Sequence, residues 1–323
     1  MVYLKKSINS RPMTVMRKLL VRHGGPAPAC NSIHAVALLL LFACPSMLAA
    51  QSEDGGKPDA VADERARDYE DPSFIKLPLA EPSGICYLPK AGRFWIVSDD
   101  GNIGQFDRSF KQTASLKING DIEGVSFHPS IEEVIYIAVE DRSEIIEYNT
   151  SSRRALRVFT IDFEGHAEFR GTRRGNKGVE GIVLIPGSGD AGQEAISVFA
   201  VVEAKPARLI RLSIDVGVES VTRRRAANGG GESGVRVPAP IANSFSLPVQ
   251  RMSDVGYDPE TGLLHVVSAA DKKLVFCDKA GKVARTIAVP GRKPEGVVVL
   301  PDRSVVVVQD TGGAWLCPDI LNQ

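Results

Sequence analysis

Three Glu-Gly steps stand at matching places along this chain: Glu123-Gly124, Glu180-Gly181 and Glu295-Gly296. Two further places in the same register read Ser83-Gly84 and Ser253-Asp254. Downstream of each, a Val/Ile-rich run ends on a polar pair. These pairs are Ser98-Asp99, Glu140-Asp141, Glu203-Ala204, Ser268-Ala269 and Gln309-Asp310. If the five places converge, Glu123, Glu140, Glu180 and Glu203 share one space, with Glu295 across it. Two carboxylates about 5 Å apart repel by roughly 3 kcal/mol at an effective dielectric near 20. Protonation relieves that repulsion, and so does a bound cation. The three histidines of the mature part, His128, His166 and His265, fall outside this register. An oxygen-only donor set selects calcium over zinc or copper. A second reading stands beside the metal one: each glutamate caps its strand or accepts backbone hydrogen bonds from the neighbouring segment.

Other chemistry finds little support. The chain has no G-x-S-x-G elbow, no P-loop and no H-E-x-x-H. Gly187-Ser188-Gly189 reads as a turn, and so does Asp99-Asp100-Gly101-Asn102, which lacks the downstream glutamate of an EF-hand. Lysine plus arginine (39) equals aspartate plus glutamate (39), so no excess positive charge points to nucleic acid. Aromatic residues at 6% are too sparse for a base-stacking platform. Cys86, Cys277 and Cys317 are too few, and odd in number, for a disulfide framework, and read as small buried hydrophobes.

The elements that must position the glutamates form a repeat. The five copies start near Glu81, Asp121, Gly178, Arg251 and Lys293. Each has a short apolar strand, a turn with proline (Pro89, Pro129, Pro186, Pro259, Pro301), a Val/Ile-rich strand, and a third strand after a polar turn. A fourth strand follows most copies, as in ALRVFTI and KVARTIAV. A repeat of about 40 residues is typical of propeller blades. The reading is all-β: a five-bladed β-propeller spanning 72–323. The segment from Phe74 to Leu79 supplies the outer strand of the last blade and closes the ring. Each first strand then lines the central channel, with the Ser/Glu position at one mouth and glycine where backbones approach closely. Two insertions, Gly165 to Gly178 and Arg223 to Pro248, read as loops, and Arg223-Arg224-Arg225 as a solvated charge run.

The first fifty residues read as an export signal. Arg17, Lys18 and Arg22 precede the apolar run Ala35 to Ala43, and Ala49-Ala50 precede Gln51. Cleavage follows Ala50, or else Cys44 takes a lipid anchor. Residues 51–71 read as a flexible linker. The run at residues 35–43 is too short to span a bilayer, and no transmembrane span is expected in the mature chain.

The stretches EPSGICYLPKAGRFWIVSDD, IEGVSFHP with YIAVED, NKGVEGIVLIP with VVEA, MSDVGYDPETGLLHVVSA and KPEGVVVLPD occur in order from Pro72 to Cys317. In that order and register the chain resembles the SdiA-regulated domain family of exported bacterial proteins. The resemblance implies a five-bladed propeller, distantly akin to NHL-repeat propellers, with a calcium ion at the Glu ring. It supplies no biochemical function. The expectation is an exported calcium-binding module for a small-molecule or protein ligand. The alternative is a metal-dependent hydrolase of lactonase or phosphoesterase type that uses the channel cation. A bound ion that only ties the blades together is the third reading.

Overall fold

The computed structural model describes residues 71, 73–170, 178–187, 196–227 and 234–322. The expected export signal, its lipidation alternative at Cys44 and all but the last residue of the linker lie outside these residues. So do 171–177 of the first insertion and 228–233 of the second.

Among the described residues the fold is nearly all β. After β1 (Phe74–Lys76), the first repeat contributes β2 (Pro82–Leu88), β3 (Arg93–Ser98), β4 (Asn102–Phe106) and β5 (Gln112–Lys117). The second contributes β6 (Ile122–His128), β7 (Ile131–Val139), β8 (Glu144–Asn149) and β9 (Arg154–Asp162). The third has β10 (Val179–Pro186), β11 (Ile196–Val202) and β12 (Arg208–Leu212), then helix α1 (Val218–Ala227) and β13 (Val235–Phe245). The fourth has β14 (Met252–Asp258), β15 (Leu263–Ser268), β16 (Lys273–Cys277) and β17 (Val283–Ala288). The fifth has β18 (Pro294–Val299), β19 (Val305–Gln309) and β20 (Gly313–Cys317).

The first and fourth repeats each form a four-stranded antiparallel sheet. The fifth is completed by β1, which pairs antiparallel with β20 through Phe74↔Trp315 and Lys76↔Gly313. The second and third repeats join in one eight-stranded sheet. The joint is β13, which runs parallel to β9 over Val235–Pro240 and antiparallel to β12 over Ile241–Phe245. The edges of that sheet, β6 and β10, pack on each other, so it curls nearly closed.

Strand burial explains the sequence pattern. Every residue of β2 and of β19 is buried, which fits strands covered on both faces. The outer strand β5 alternates half-buried and exposed along its length. The cores lie between sheets. Trp95 and Val97 of the first repeat pack with Ile135 and Ile137 of the second. Tyr136 and Ala138 pack with Ile182 and Ala200, Phe199 with Val255 and Val266, Val267 and Phe276 with Val297 and Val307, and Val306 and Val308 with Ile85 and Phe94. The opening strands β2, β6, β10, β14 and β18 accordingly touch in cyclic order, β18 returning to β2.

The second insertion is not the loop that its composition suggests. Its first part lies in α1, and its last part is β13. Arginine and alanine are good helix formers, and a Glu219–Arg223 pair at 2.9 Å spans one turn. The reading of Arg223 as solvated holds: its side chain is exposed. In the first insertion a 3-10 turn at Ala167–Phe169 buries Phe169. No helix among the described residues is long and apolar enough to cross a membrane. Cys86 and Cys277 are buried, Cys317 is half-buried, and all three are free thiols.

The segment leading into α1 is tied to the second repeat by a buried ion pair. Glu147 on β8 is fully buried, and Arg157 on β9 nearly so. Arg157 Nε donates to Glu147 Oε1 at 3.1 Å, Tyr136 Oη donates to Oε2 at 2.8 Å, and Arg157 Nη1 donates to the Asp215 carbonyl at 2.7 Å. Removing one partner strands the other charge. Arg157→Met is expected to cost about 3–5 kcal/mol in urea unfolding. The double variant Arg157→Met/Glu147→Met is expected to recover at least half of that loss.

Candidate metal centre

The five aligned Ser/Glu positions share one backbone irregularity. Each opening strand slips register against its partner between the residue before this position and the residue after it: Pro82/Gly84, Ile122/Gly124, Val179/Gly181, Met252/Asp254 and Pro294/Gly296. Ser83, Glu123, Glu180, Ser253 and Glu295 are the bulged residues. Sequence reading sets them just ahead of the strands, whereas the strands begin one residue earlier. A bulge re-aims the side chain it carries. Five bulges at one place in five adjoining strands therefore gather five side chains at one end of the strand ring.

The next position lets the strands meet backbone to backbone. A Cβ on Gly84 would lie 2.5 Å from the Glu123 carbonyl, and one on Gly124 would lie 2.7 Å from the Glu180 carbonyl. In the fourth repeat this position is Asp254, 1% exposed. Its carboxylate accepts from the amides of Val255 at 2.8 Å and Val297 at 3.1 Å, so it pins β14 to β18. Burial drives its pKa well up, against the pull of these amides.

Of the five glutamates expected to cluster, the structure brings three together. Oxygens of Glu140, Glu180 and Glu203 lie within 4.8 Å of one another. Glu140 and Glu180 are each 3% exposed. The Gly178 amide donates to Glu140 Oε1 at 3.3 Å, while Glu180 Oε1 is buried with no hydrogen-bond partner. Glu123 belongs to a neighbouring group with Asp99 and Asp121, equally close-set. Glu295 does not join either group. Lys293 Nζ lies 3.0 Å from its Oε1 and also pairs with Asp310.

The charge balance is strained. Burial, then the charges of Glu123, Glu140 and Glu203, push Glu180 well above the usual carboxylate range. Burial likewise pushes Glu140 up to about 7 and Glu123 up to about 9, the latter helped by Asp99 and Glu140. Asp99 rises to about 6, mainly through burial, and Asp121 rises for the same reason. Burial alone would lower Arg251, but the charges of Glu295, Glu203, Glu180 and Glu123 outweigh it and hold it up.

Asp121, Arg251 and Lys293 are functional candidates that sequence reading misses. A signal for them exists. Two residues before the bulge the repeats read Glu81, Asp121, Gly178, Arg251 and Lys293. Four of these five are charged.

The donor set suits a hard cation. Calcium takes oxygen ligands at about 2.3–2.6 Å, so oxygens around one ion stand up to about 5 Å apart. The spacing within the Glu140–Glu180–Glu203 group matches that span, and Glu180 Oε1 has no donor of its own. No model of a known protein family matches the chain, and no curated protein matches it.

Proposed function

We propose that this chain is an exported five-bladed β-propeller of the SdiA-regulated kind, stabilised by calcium, that serves as a binding module. Five sheet-to-sheet cores and the cyclic contact of the opening strands support five blades. On this reading the eight-stranded sheet is two blades bridged by β13, and β1 closes the fifth blade. The N-terminal apolar run followed by small residues supports export.

The observation that carries the metal reading is the buried, unpartnered Glu180 Oε1 between Glu140 and Glu203. These three side chains hold the ion. The ion supplies the positive charge that lets Glu140 and Glu180 stay ionised while buried. Glu123, Asp99 and Asp121 line the same mouth, and Arg251 and Lys293 limit its net negative charge.

Calorimetric titration of EDTA-treated, dialysed protein with calcium chloride tests this. One calcium per chain is expected, with magnesium at least 100-fold weaker. Glu180→Gln is expected to reduce calcium affinity at least 100-fold, whereas Glu132→Gln, at the other end of the strand ring, leaves it unchanged. Absence of calcium-specific heat would remove the metal from the proposal. The hydrolase alternative rests on the same ion. It is tested by assaying the calcium-loaded protein against a panel of lactones and phosphodiesters, and turnover lost in Glu180→Gln would favour it.

A further inference from the structure

The opening strands end in a second feature. Their far ends, with the turns that follow, enclose a cavity of about 630 Å³. All five turn prolines, Pro89, Pro129, Pro186, Pro259 and Pro301, line it. Consecutive residues of each opening strand make its wall, Cys86, Ser126, Val183, Gly256 and Val298 among them. Two residues past each bulge stand Ile85, Val125, Ile182, Val255 and Val297, one from each repeat, and all five face this space. Two residues further on the positions are again apolar or aromatic. The acidic mouth and the apolar cup are thus opposite ends of the same five strands.

Polar groups in the wall are mostly satisfied from within. Arg303 Nη1 donates to both oxygens of Asp258, at 2.8 and 2.9 Å. Ser126 Oγ accepts from the Leu184 amide at 3.1 Å. His265 on β15 is fully buried, its imidazole within reach of the Val297 backbone. The imidazole sits over Gly256, its cross-strand partner. A Cβ on Gly256 would lie 2.1 Å from Nε2, so the ring takes the place that a side chain there would fill. Burial lowers its pKa to about 4, so it stays neutral at physiological pH and can accept or donate one bond.

A pocket of several hundred Å³ with apolar walls and a few convergent polar groups is the form that small-molecule sites take. Its Arg303–Asp258 pair is internally neutralised. At the rim Lys90 stands against Glu132 and Glu260, a net charge of −1 that disfavours an anionic occupant. We propose that this cup binds a small, neutral, largely apolar molecule. The site is separate from the metal centre and does not depend on it.

N-phenyl-1-naphthylamine, a neutral fluorophore with one N–H, is the probe. Titrated into the purified protein, it is expected to give saturable, blue-shifted emission at one molecule per chain. Phe127→Glu and Val298→Glu place a charge at half-buried positions in the wall on two different sheets, and each is expected to weaken binding more than tenfold. The anionic 8-anilinonaphthalene-1-sulfonate is expected to bind at least tenfold more weakly. EDTA and Glu180→Gln are expected to change nothing. Non-saturable emission, binding indifferent to both wall variants, or equal affinity for the anionic probe would overturn the proposal. If the wall variants lose cooperative unfolding, nuclear Overhauser contacts from the naphthyl protons to the Ile182 and Val297 methyls in the unaltered protein decide: their presence supports the cup, and their absence overturns it.

Discussion

In EDTA the protein is expected to lose stability as pH rises from about 4.5 to 9, and calcium is expected to reduce that loss. The folded state raises Glu140 from 4.5 to about 7, Glu123 from 4.5 to about 9 and Asp99 from 3.8 to about 6. Glu180 is also raised well above the usual carboxylate range. Between each group's unfolded and folded values, the native chain holds a proton that the unfolded chain has released. The native state then binds more protons, so unfolding free energy falls as pH rises. The stabilising contribution is complete below about pH 4 and fades as each folded value is passed. Each group contributes at most about 1.4 kcal/mol per pH unit within its window. For a chain of this size that amounts to roughly 2–4 °C of midpoint per unit and group. Arg251 and Lys293 stay charged throughout this range and cannot reverse the sign.

A cation inverts the balance. Bound among Glu140, Glu180 and Glu203, it favours their ionised forms, so the proton is no longer the only means of relieving their repulsion. At calcium 100-fold over its dissociation constant, binding adds about 2.7 kcal/mol. Thermal midpoints at pH 5, 7 and 9, in EDTA and in calcium chloride, check this. Midpoints that diverge with rising pH are the expected result. Parallel falls in both buffers would mean that no cation enters the cluster. The double variant Glu140→Gln/Glu180→Gln removes two of the titrating groups and is expected to make the EDTA curve shallower.

What the sequence reveals of this site, and what it hides, follows from one backbone device. The Glu-Gly steps are legible because a bulge followed by a close approach recurs at one place in five repeats, and three of the five carry Glu-Gly there. Glu140 and Glu203 are legible because they end strands that are otherwise apolar. The division of the five glutamates is not legible. Glu295 looks equivalent to Glu180 in register, yet Lys293 two residues earlier takes its charge. Asp121 sits in a polar stretch, marked only by the charge that recurs two positions before the Ser/Glu position in four of the five repeats. The strand content of the second insertion is hidden for a different reason. β13 carries Pro238 and Pro240 and few buried residues, so it lacks the apolar pattern that marks the other strands. It is held by pairing with β9 and β12, which only tertiary structure reveals. The apolar cup has no local signature at all. Its wall is made of five ordinary strands, and it becomes a cavity only where they converge.

Gly124→Ala is expected to destabilise the protein by at least about 3 kcal/mol, near the upper end of overpacking effects. The added Cβ would lie 2.7 Å from both the Glu180 carbonyl oxygen and the Gly181 Cα, and 3.1 Å from the Ile182 amide nitrogen. All three are backbone atoms of the neighbouring opening strand, so no side chain can swing aside. The strand itself must move, and it carries the Glu180 bulge. Loss of stability and loss of calcium affinity are therefore expected together in this variant, although residue 124 contributes no ligand. Gly217→Ala is the control: its Cβ would meet only Asp215 Oδ1, at 3.4 Å, and a change below about 1 kcal/mol is expected. Urea unfolding of the two variants separates the cases. If Gly124→Ala matches the unaltered protein, β6 and β10 do not meet backbone to backbone, and the five-bladed ring fails with them. If it is destabilised yet binds calcium normally, the ring stands, and the position of Glu180 does not depend on the close approach beside it.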